Sequence, residues 1–257
     1  MNILICVKQV PDDYAQVRLD QASGTPDTAE IEIVNNAFDT YALELAARYC
    51  ETHGGTVTVA TVGPESAQSG LKNLLAVGAN KAYLFTPNES VVDESGVAAY
   101  LSQVVKQCEQ LNGEPFDLIL CGKESTDEIS SQVGAMLAET MGLPFVSSVV
   151  EVMPVEGGLR ARQENEDSST WYEMPLPAVF TIAKPDYDPR YPTIKNKMAA
   201  RKAVIPTYSG LTAQPCRVVC TGYAEPPARQ SGVLIQAADG AEAAAKAVAM
   251  MADAKVL

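Results

Sequence analysis

The sequence predicts an α/β fold, a doubly wound and mostly parallel sheet carrying a β-hairpin extension and a long C-terminal arm. Three observations predict it. Four apolar runs alternate with helical patterns up to Pro144, and beyond it the runs shorten and are joined by glycine and polar turns. After Pro206 regular pattern is lost until an alanine-rich stretch at 240–255.

The apolar runs are "NILICVKQV" at 2–10, "TVTVATVG" at 56–63, "KAYLFT" at 81–86 and "FDLILCG" at 116–122. Continuous Val/Ile/Leu-rich runs of this length suit strands buried on both faces. Helices are expected at 39–53, 64–79 and 94–112. In the last, Val97, Tyr100, Leu101, Val104, Val105 and Cys108 recur at three- and four-residue steps, an apolar helix face. Such alternation argues for a parallel sheet covered by helices on both faces. After Pro144, "FVSSVVEVMPV", "GLRARQ", "STWYEM" and "PAVFTIAK" read as hairpin strands, with turns at Gly157-Gly158 and at 164–169. "KPDYDPRYPTIKNKMAARKAVIP" reads as a proline-punctuated loop entering a short basic helix. The irregular stretch that follows is longer than a compact domain normally carries, so it is expected to lie on another chain.

Composition narrows the function. Apolar residues at 47% and charged residues at 20% are ordinary for a soluble globular protein. A net charge of −13 repels phosphate backbones and anionic lipid surfaces, so nucleic acid is not expected, and with no apolar window of membrane-spanning length neither is membrane insertion. A small nucleotide stays open, because a few backbone N–H groups hold a phosphate whatever the net charge. The start lacks a charged leader and cleavage site, which points to a cytoplasmic protein. Of six cysteines only Cys216 and Cys220 are close in sequence, and "CRVVC" lacks the spacing of zinc or redox pairs. With His53 the single histidine, triads and two-histidine metal sites cannot be assembled. No catalytic constellation emerges from these residues.

In an open parallel sheet, ligands sit beyond the carboxyl ends of the strands. Cys6 to Lys8, Val62-Gly63 and Gly122 end three of the runs. Gly122 permits close ligand approach, and a helix starting near Ser130-Ser131-Gln132 offers unpaired N–H groups and hydroxyls to a phosphate. The other reading is that Ser130 or Ser131 caps the helix while Asp127 solvates the loop. Spacing leaves both open, since the loop is neither a P-loop nor a dinucleotide fingerprint.

"CVKQVPD" (6–12), "NNAFDTYALELA" (35–46), "VGPESAQSGLKNLLAVGA" (62–79), "DLILCGKESTDEISSQVG" (117–134), "PLPAVFTIAKPDYDPRYPTIKNKMAARK" (175–202) and "EPPARQSGV" (225–233) together resemble the beta subunit of electron-transfer flavoprotein, in order over nearly the whole chain. The resemblance implies a sheet of adenine-nucleotide-binding type and a heterodimer with an alpha subunit that carries a redox FAD. It places residues 1–205 in the nucleotide-binding domain with its hairpin extension and recognition loop, and 206–257 in an arm and helix packing on the alpha subunit. Carried over, the nucleotide contacts fall on Cys6, Asn36, Ala37, Phe38, Asp39, Val62, Gly122, Lys123, Glu124, Ser125, Thr126, Asp127, Glu128, Ile129, Ser130, Ser131, Gln132 and Val133.

The resemblance also implies that Ile194 anchors an acyl-CoA dehydrogenase-type flavoenzyme, with Lys195, Lys197, Arg201 and Lys202 steering an acidic partner. Read from its neighbours alone, Ile194 is a core residue at a loop–helix junction and the four charges are a solvated face. Some family members hold AMP in this subunit. Electron-bifurcating members hold a second FAD reduced by NADH. Lys123 and "DEISSQVG" stand where bifurcating members usually carry an arginine and "DGDTAQVG", and "GYAEPPARQSGV" is closer to the non-bifurcating pattern, so AMP is favoured. Two rivals remain, a bifurcating subunit with FAD and a free-standing nucleotide-binding sensor.

Overall fold

A computed structural model of the protein describes residues 1–88, 93–227 and 231–257. Close contacts divide it into Met1–Tyr223 and Ala224–Leu257. In the first unit the strands are β1 (Asn2–Cys6), β2 (Gln9–Pro11), β3 (Arg18–Leu19), β4 (Pro26–Asp27), β5 (Ile33–Asn35), β6 (Thr56–Val62), β7 (Lys81–Phe85), β8 (Leu118–Gly122), β9 (Phe145–Val155), β10 (Gly158–Glu164), β11 (Ser169–Pro175), β12 (Ala178–Ile182) and β13 (Thr207–Tyr208). Its helices are α1 (Ala37–His53), α2 (Gln68–Val77), α3 (Glu94–Asn112), α4 (Val133–Met141) and α5 (Ile194–Lys202).

Among the described residues nine strands form one sheet in the order β11-β10-β9-β12-β8-β1-β6-β7-β13. The seven from β9 to β13 run parallel, and β10 and β11 are antiparallel additions. Successive side chains of β1 point to opposite faces. Ile3 and Ile5 pack with Leu43 and Ala46 of α1 and Leu71 and Leu74 of α2. Leu4 and Cys6 pack with Tyr100, Leu101 and Val104 of α3 and Leu137 of α4. Each fully buried leucine or isoleucine contributes about 1.5–3 kcal/mol, and β1 lies at the centre of both layers. The chain leaves β1 toward β6 over one face and returns to β8, on the other side of β1, over the opposite face. The strand order therefore reverses between β1 and β8, where such sheets open a crevice.

Two strand assignments differ from the sequence reading. "NILICVKQV" is broken after Cys6, because Val7 N–H still reaches Ala60 O at 2.9 Å but Lys8 N–H is taken by the Asp39 carboxylate at 2.8 Å. Gln9–Pro11 then pairs with Ile33–Asn35 in a separate ribbon. "PAVFTIAK" is no hairpin strand. β12 lies between β8 and β9, parallel to both, with all five residues buried.

The stretch after Pro206 also departs from expectation, since its first part lies on its own unit. β13 extends the sheet beside β7, and Leu211 is buried. Thr212 exchanges hydrogen bonds with the Gln103 side chain, and the Asp93 carboxylate accepts from Arg217 N and Val218 N. The "EPPARQSGV" motif falls partly outside the described residues, which omit 228–230. In the second unit α6 (Gly240–Asp253) is capped by Asp239, which accepts from Glu242 N at 2.9 Å, while the Glu242 side chain accepts from Ala238 N, the residue before the cap, at 2.8 Å. No helix of the described residues is long and apolar enough to cross a membrane.

Candidate nucleotide site and docking segment

Beyond the carboxyl ends of β1, β6 and β8 lies a cavity of about 320 Å³. Its floor and one wall are apolar, from Cys6, Val62, Val97, Tyr100, Leu101 and Cys121. Its other side is the loop between β8 and α4. Of the residues carried over as nucleotide contacts, Cys6, Asn36, Asp39, Val62, Gly122 to Ser125, Glu128 and Ser130 to Val133 line it. Ala37, Phe38, Thr126, Asp127 and Ile129 do not. Val7 and Lys8, at the end of the first run as the strand-end argument expects, line it too, and Pro87, Val97, Tyr100, Leu101, Cys121 and Gly134 line it without having been singled out for it. The three-four spacing of α3 showed an apolar face, but nothing local says that part of that face borders a cavity.

Three side chains from the β1–α1 region hold the loop. Asp39, in the first turn of α1 and 4% exposed, accepts from Lys8 N at 2.8 Å and Gly122 N at 2.9 Å, tying the ends of β1 and β8 together. Burial pushes its carboxyl up to about 7, against the lowering effect of those two N–H groups, the Asn36 side chain and the Lys8 charge. Asn36 occupies the N-cap position of α1 but makes no side-chain cap bond. It reaches the loop instead, Nδ2 donating to Glu124 O at 2.8 Å and Oδ1 accepting from Thr126 N at 3.3 Å. Lys8 Nζ lies 3.3 Å from Ser125 Oγ, 2.9 Å from Asp127 Oδ1 and 3.0 Å from Glu128 Oε2. Burial opposes the Lys8 charge, yet hydrogen bonds to Asp127 and Glu128 outweigh it and raise its pKa.

Within the loop Ser131 Oγ donates to Glu124 Oε2 at 2.5 Å and Ile129 N to Ser125 O at 2.8 Å. Ile129 and Ser131 have φ of 53° and 55°, left-handed conformations costly for a β-branched residue. The helix begins at Val133, three residues past Ser130, and neither serine caps it. Gln132 holds the N-cap position with no side-chain bond, so the amide end of α4 opens on the cavity uncapped. Asp127 is paired with Lys8 rather than solvating the loop. Gly122 is required for a different neighbour than the sequence reading assumed. A Cβ there would lie 2.5 Å from Asp39 Oδ1 and 2.7 Å from Phe38 Cβ, so the close approach of α1 already requires glycine at this position.

Ile194 is 83% exposed as the first residue of α5, which overturns the core reading from its neighbours. Thr193 caps the helix, accepting from Asn196 N at 3.1 Å, and Ala200 is its one buried residue. Lys195, Lys197, Arg201 and Lys202 are exposed, as are Tyr191 at 93% and Met198 at 58%. Among the described residues no group of three or more His, Cys, Asp or Glu is placed to hold a metal ion.

A family model described as electron transfer flavoprotein domain matches residues 28–210. The chain is 32% identical to the electron transfer flavoprotein subunit beta of Megasphaera elsdenii, covering 95% of this chain and 94% of that one. It is 36% identical to the subunit beta of Thermoanaerobacterium thermosaccharolyticum over 76% and 73% of the two chains. It is 31% identical to the caffeyl-CoA reductase-Etf complex subunit CarD of Acetobacterium woodii over 91% and 92%. With an uncapped helix beyond the β1–β8 crossover and similarity over nearly its full length, the chain belongs to the electron transfer flavoprotein beta-subunit family, whose work is electron transfer.

Proposed function

We propose that this chain pairs with a large alpha subunit carrying a redox FAD, and holds one AMP, as a structural nucleotide, in the β1–β8 crevice. The observation that carries this reading is the cavity. At about 320 Å³ it lies at the small end of the roughly 300–1,000 Å³ typical of ligand sites, which suits one mononucleotide. Its apolar wall suits an adenine ring. The uncapped end of α4, with Ser130 and Ser131, suits a phosphate, each amide or dipole contact being worth about 0.3–1 kcal/mol. The FAD of the alpha subunit performs the redox step, and this chain supplies position and exclusion of solvent. The arm at 206–257 lies against the alpha subunit over its outer part.

The exposed α5 segment docks an acyl-CoA dehydrogenase-type flavoenzyme through Ile194, steered by Lys195, Lys197, Arg201 and Lys202. Burying an exposed isoleucine at an interface contributes about 1.5–3 kcal/mol. Ile194→Ala should leave flavin and nucleotide content intact and raise the concentration of complex needed for half-maximal electron transfer. Unchanged transfer across a dehydrogenase titration would exclude the anchor role.

One observation favours a second reading, a bifurcating subunit with FAD here. The excursion at 12–32 beyond the end of β1 is largely exposed, with Tyr14 at 98%, and in this reading it flanks the isoalloxazine ring at the cavity mouth. Release of nucleotides from the denatured heterodimer separates the two, because AMP supports the first reading and a second FAD the other.

A further inference from the structure

The segment before α5 is fixed by an ion-pair cluster on the far side of the sheet layer from the nucleotide cavity. Glu44 of α1 is 2% exposed, and its carboxylate accepts from Arg190 N at 3.1 Å, Arg190 Nε at 2.8 Å, Arg190 Nη2 at 3.2 Å and Arg48 Nε at 2.5 Å. Glu51, two turns further along the same helix face, accepts from Arg190 Nη1 and, at 3.0 Å, from Nη2. The Arg48 guanidinium lies 4.0 Å over the Tyr187 ring. Tyr187 and Arg190 are thereby both held to α1. Despite its burial Glu44 stays ionised, because the hydrogen bonds from Arg190 and Arg48 outweigh desolvation and lower its pKa.

Packing does not replace this clamp. Beneath Pro189, Tyr191 and Pro192 lies a cavity of about 550 Å³, bordered by Leu43, Leu74 and Val77. The stretch bearing Tyr191 and Ile194 therefore spans a hollow, held by Glu44 at one end and by α5 against α2 at the other. A fork of five donors fixed on two carboxylates sets orientation as well as attraction, which a lysine cannot reproduce.

We propose that Glu44 and Arg190 are positioning residues for partner docking, which hold Tyr191 and Ile194 in a preformed docking geometry above the hollow. This rests on the reading that the α5 segment docks the dehydrogenase. A preformed segment avoids the ordering cost that each freed side chain adds to association.

The test uses the flavin-loaded heterodimer with Arg190→Lys as the mild variant, Glu44→Gln as the stronger one and Ile194→Ala as the control. Dehydrogenase-dependent transfer is resolved into KM for the heterodimer and kcat, and amide hydrogen exchange is followed at 187–198. Arg190→Lys should raise KM about three- to tenfold with kcat nearly unchanged, the loss expected when one or two side chains must be ordered on binding. Exchange at 187–193 should quicken, with flavin and nucleotide content unaltered. Should Ile194→Ala raise KM while Arg190→Lys leaves it unchanged, the clamp has no positioning role, whatever the exchange data, and the proposal is overturned with the docking reading intact. If Ile194→Ala leaves KM unchanged, the docking reading falls and the clamp's role in it falls too. If Glu44→Gln does not fold, Arg190→Lys alone decides between these outcomes.

Discussion

Gly134, second residue of α4, sits where the helix meets β12. A Cβ there would lie 2.2 Å from Thr181 Cγ2, and Thr181 is 3% exposed. In an open helix Gly→Ala is worth about 1 kcal/mol in favour of alanine. Here that gain meets a buried, β-branched neighbour. To reach ordinary contact the gap must open by about 1 Å, so either α4 lifts from the sheet or Thr181 rotates. Rotation carries the Thr181 hydroxyl away from Ser148 N, now at 3.2 Å. Overpacking costs about 1–3 kcal/mol, which leaves Gly134→Ala between neutral and about 2 kcal/mol destabilised. The sharper consequence is functional, because a lifted α4 withdraws its amide end from the cavity. Chemical denaturation reads the first effect, and nucleotide retained through gel filtration reads the second. Thr181→Ser removes the opposing methyl, so the double variant should recover retention, a coupling that a double-mutant cycle measures. Full retention in Gly134→Ala alone, or no recovery in the double variant, would refute the claim that close packing of α4 on β12 sets the phosphate end.

Asp39→Asn turns an acceptor pair into one acceptor and one donor, so either Lys8 N–H or Gly122 N–H loses its partner, a cost of about 1–3 kcal/mol. Because the wild-type carboxyl rises from 3.8 to about 7 on folding, its ionised form opposes folding increasingly between those values, and that contribution to stability falls as pH rises. The stability difference between wild type and Asp39→Asn should therefore change across that window, and a pH-independent difference would exclude the titration. The Asp93 carboxyl is held down to about 2 by N–H bonds from Gly96, Arg217 and Val218, so its contribution is full above 3.8 and lost as pH falls toward 2. Asp93→Ala should release 207–218 to hydrogen exchange at neutral pH without unfolding the sheet, and protection equal to wild type would contradict this. Lys8→Met removes the cation bridging Ser125, Asp127 and Glu128 and should speed nucleotide dissociation, measured by exchange with labelled AMP.

The alternation of buried strands and helices was legible because it is a local property of apolar spacing, and it located α1, α2, α3, β6, β7 and β8 within a few residues. β12 was misplaced for an instructive reason. Its neighbours in sequence are hairpin strands, but "AVFTI" is a continuous apolar run, and that pattern belongs to a strand buried on both faces. The break in the first run could not be read locally, since Asp39 ends it from 31 residues away. The same holds for Lys8, whose partners are loop carboxylates 119 residues on in the case of Asp127. Ile194 was ambiguous because its two neighbours are compatible with either environment, and only the cap at Thr193 and the packing of Ala200 fix which way α5 faces.

The most direct measurement is the nucleotide inventory of the complex formed by this chain and its large subunit, denatured after purification and resolved by chromatography. One FAD and one AMP per heterodimer is the predicted result, placing a structural mononucleotide in the 320 Å³ cavity at the end of α4. Two FAD and no AMP would contradict it and make residues 122–133 part of a redox-flavin site.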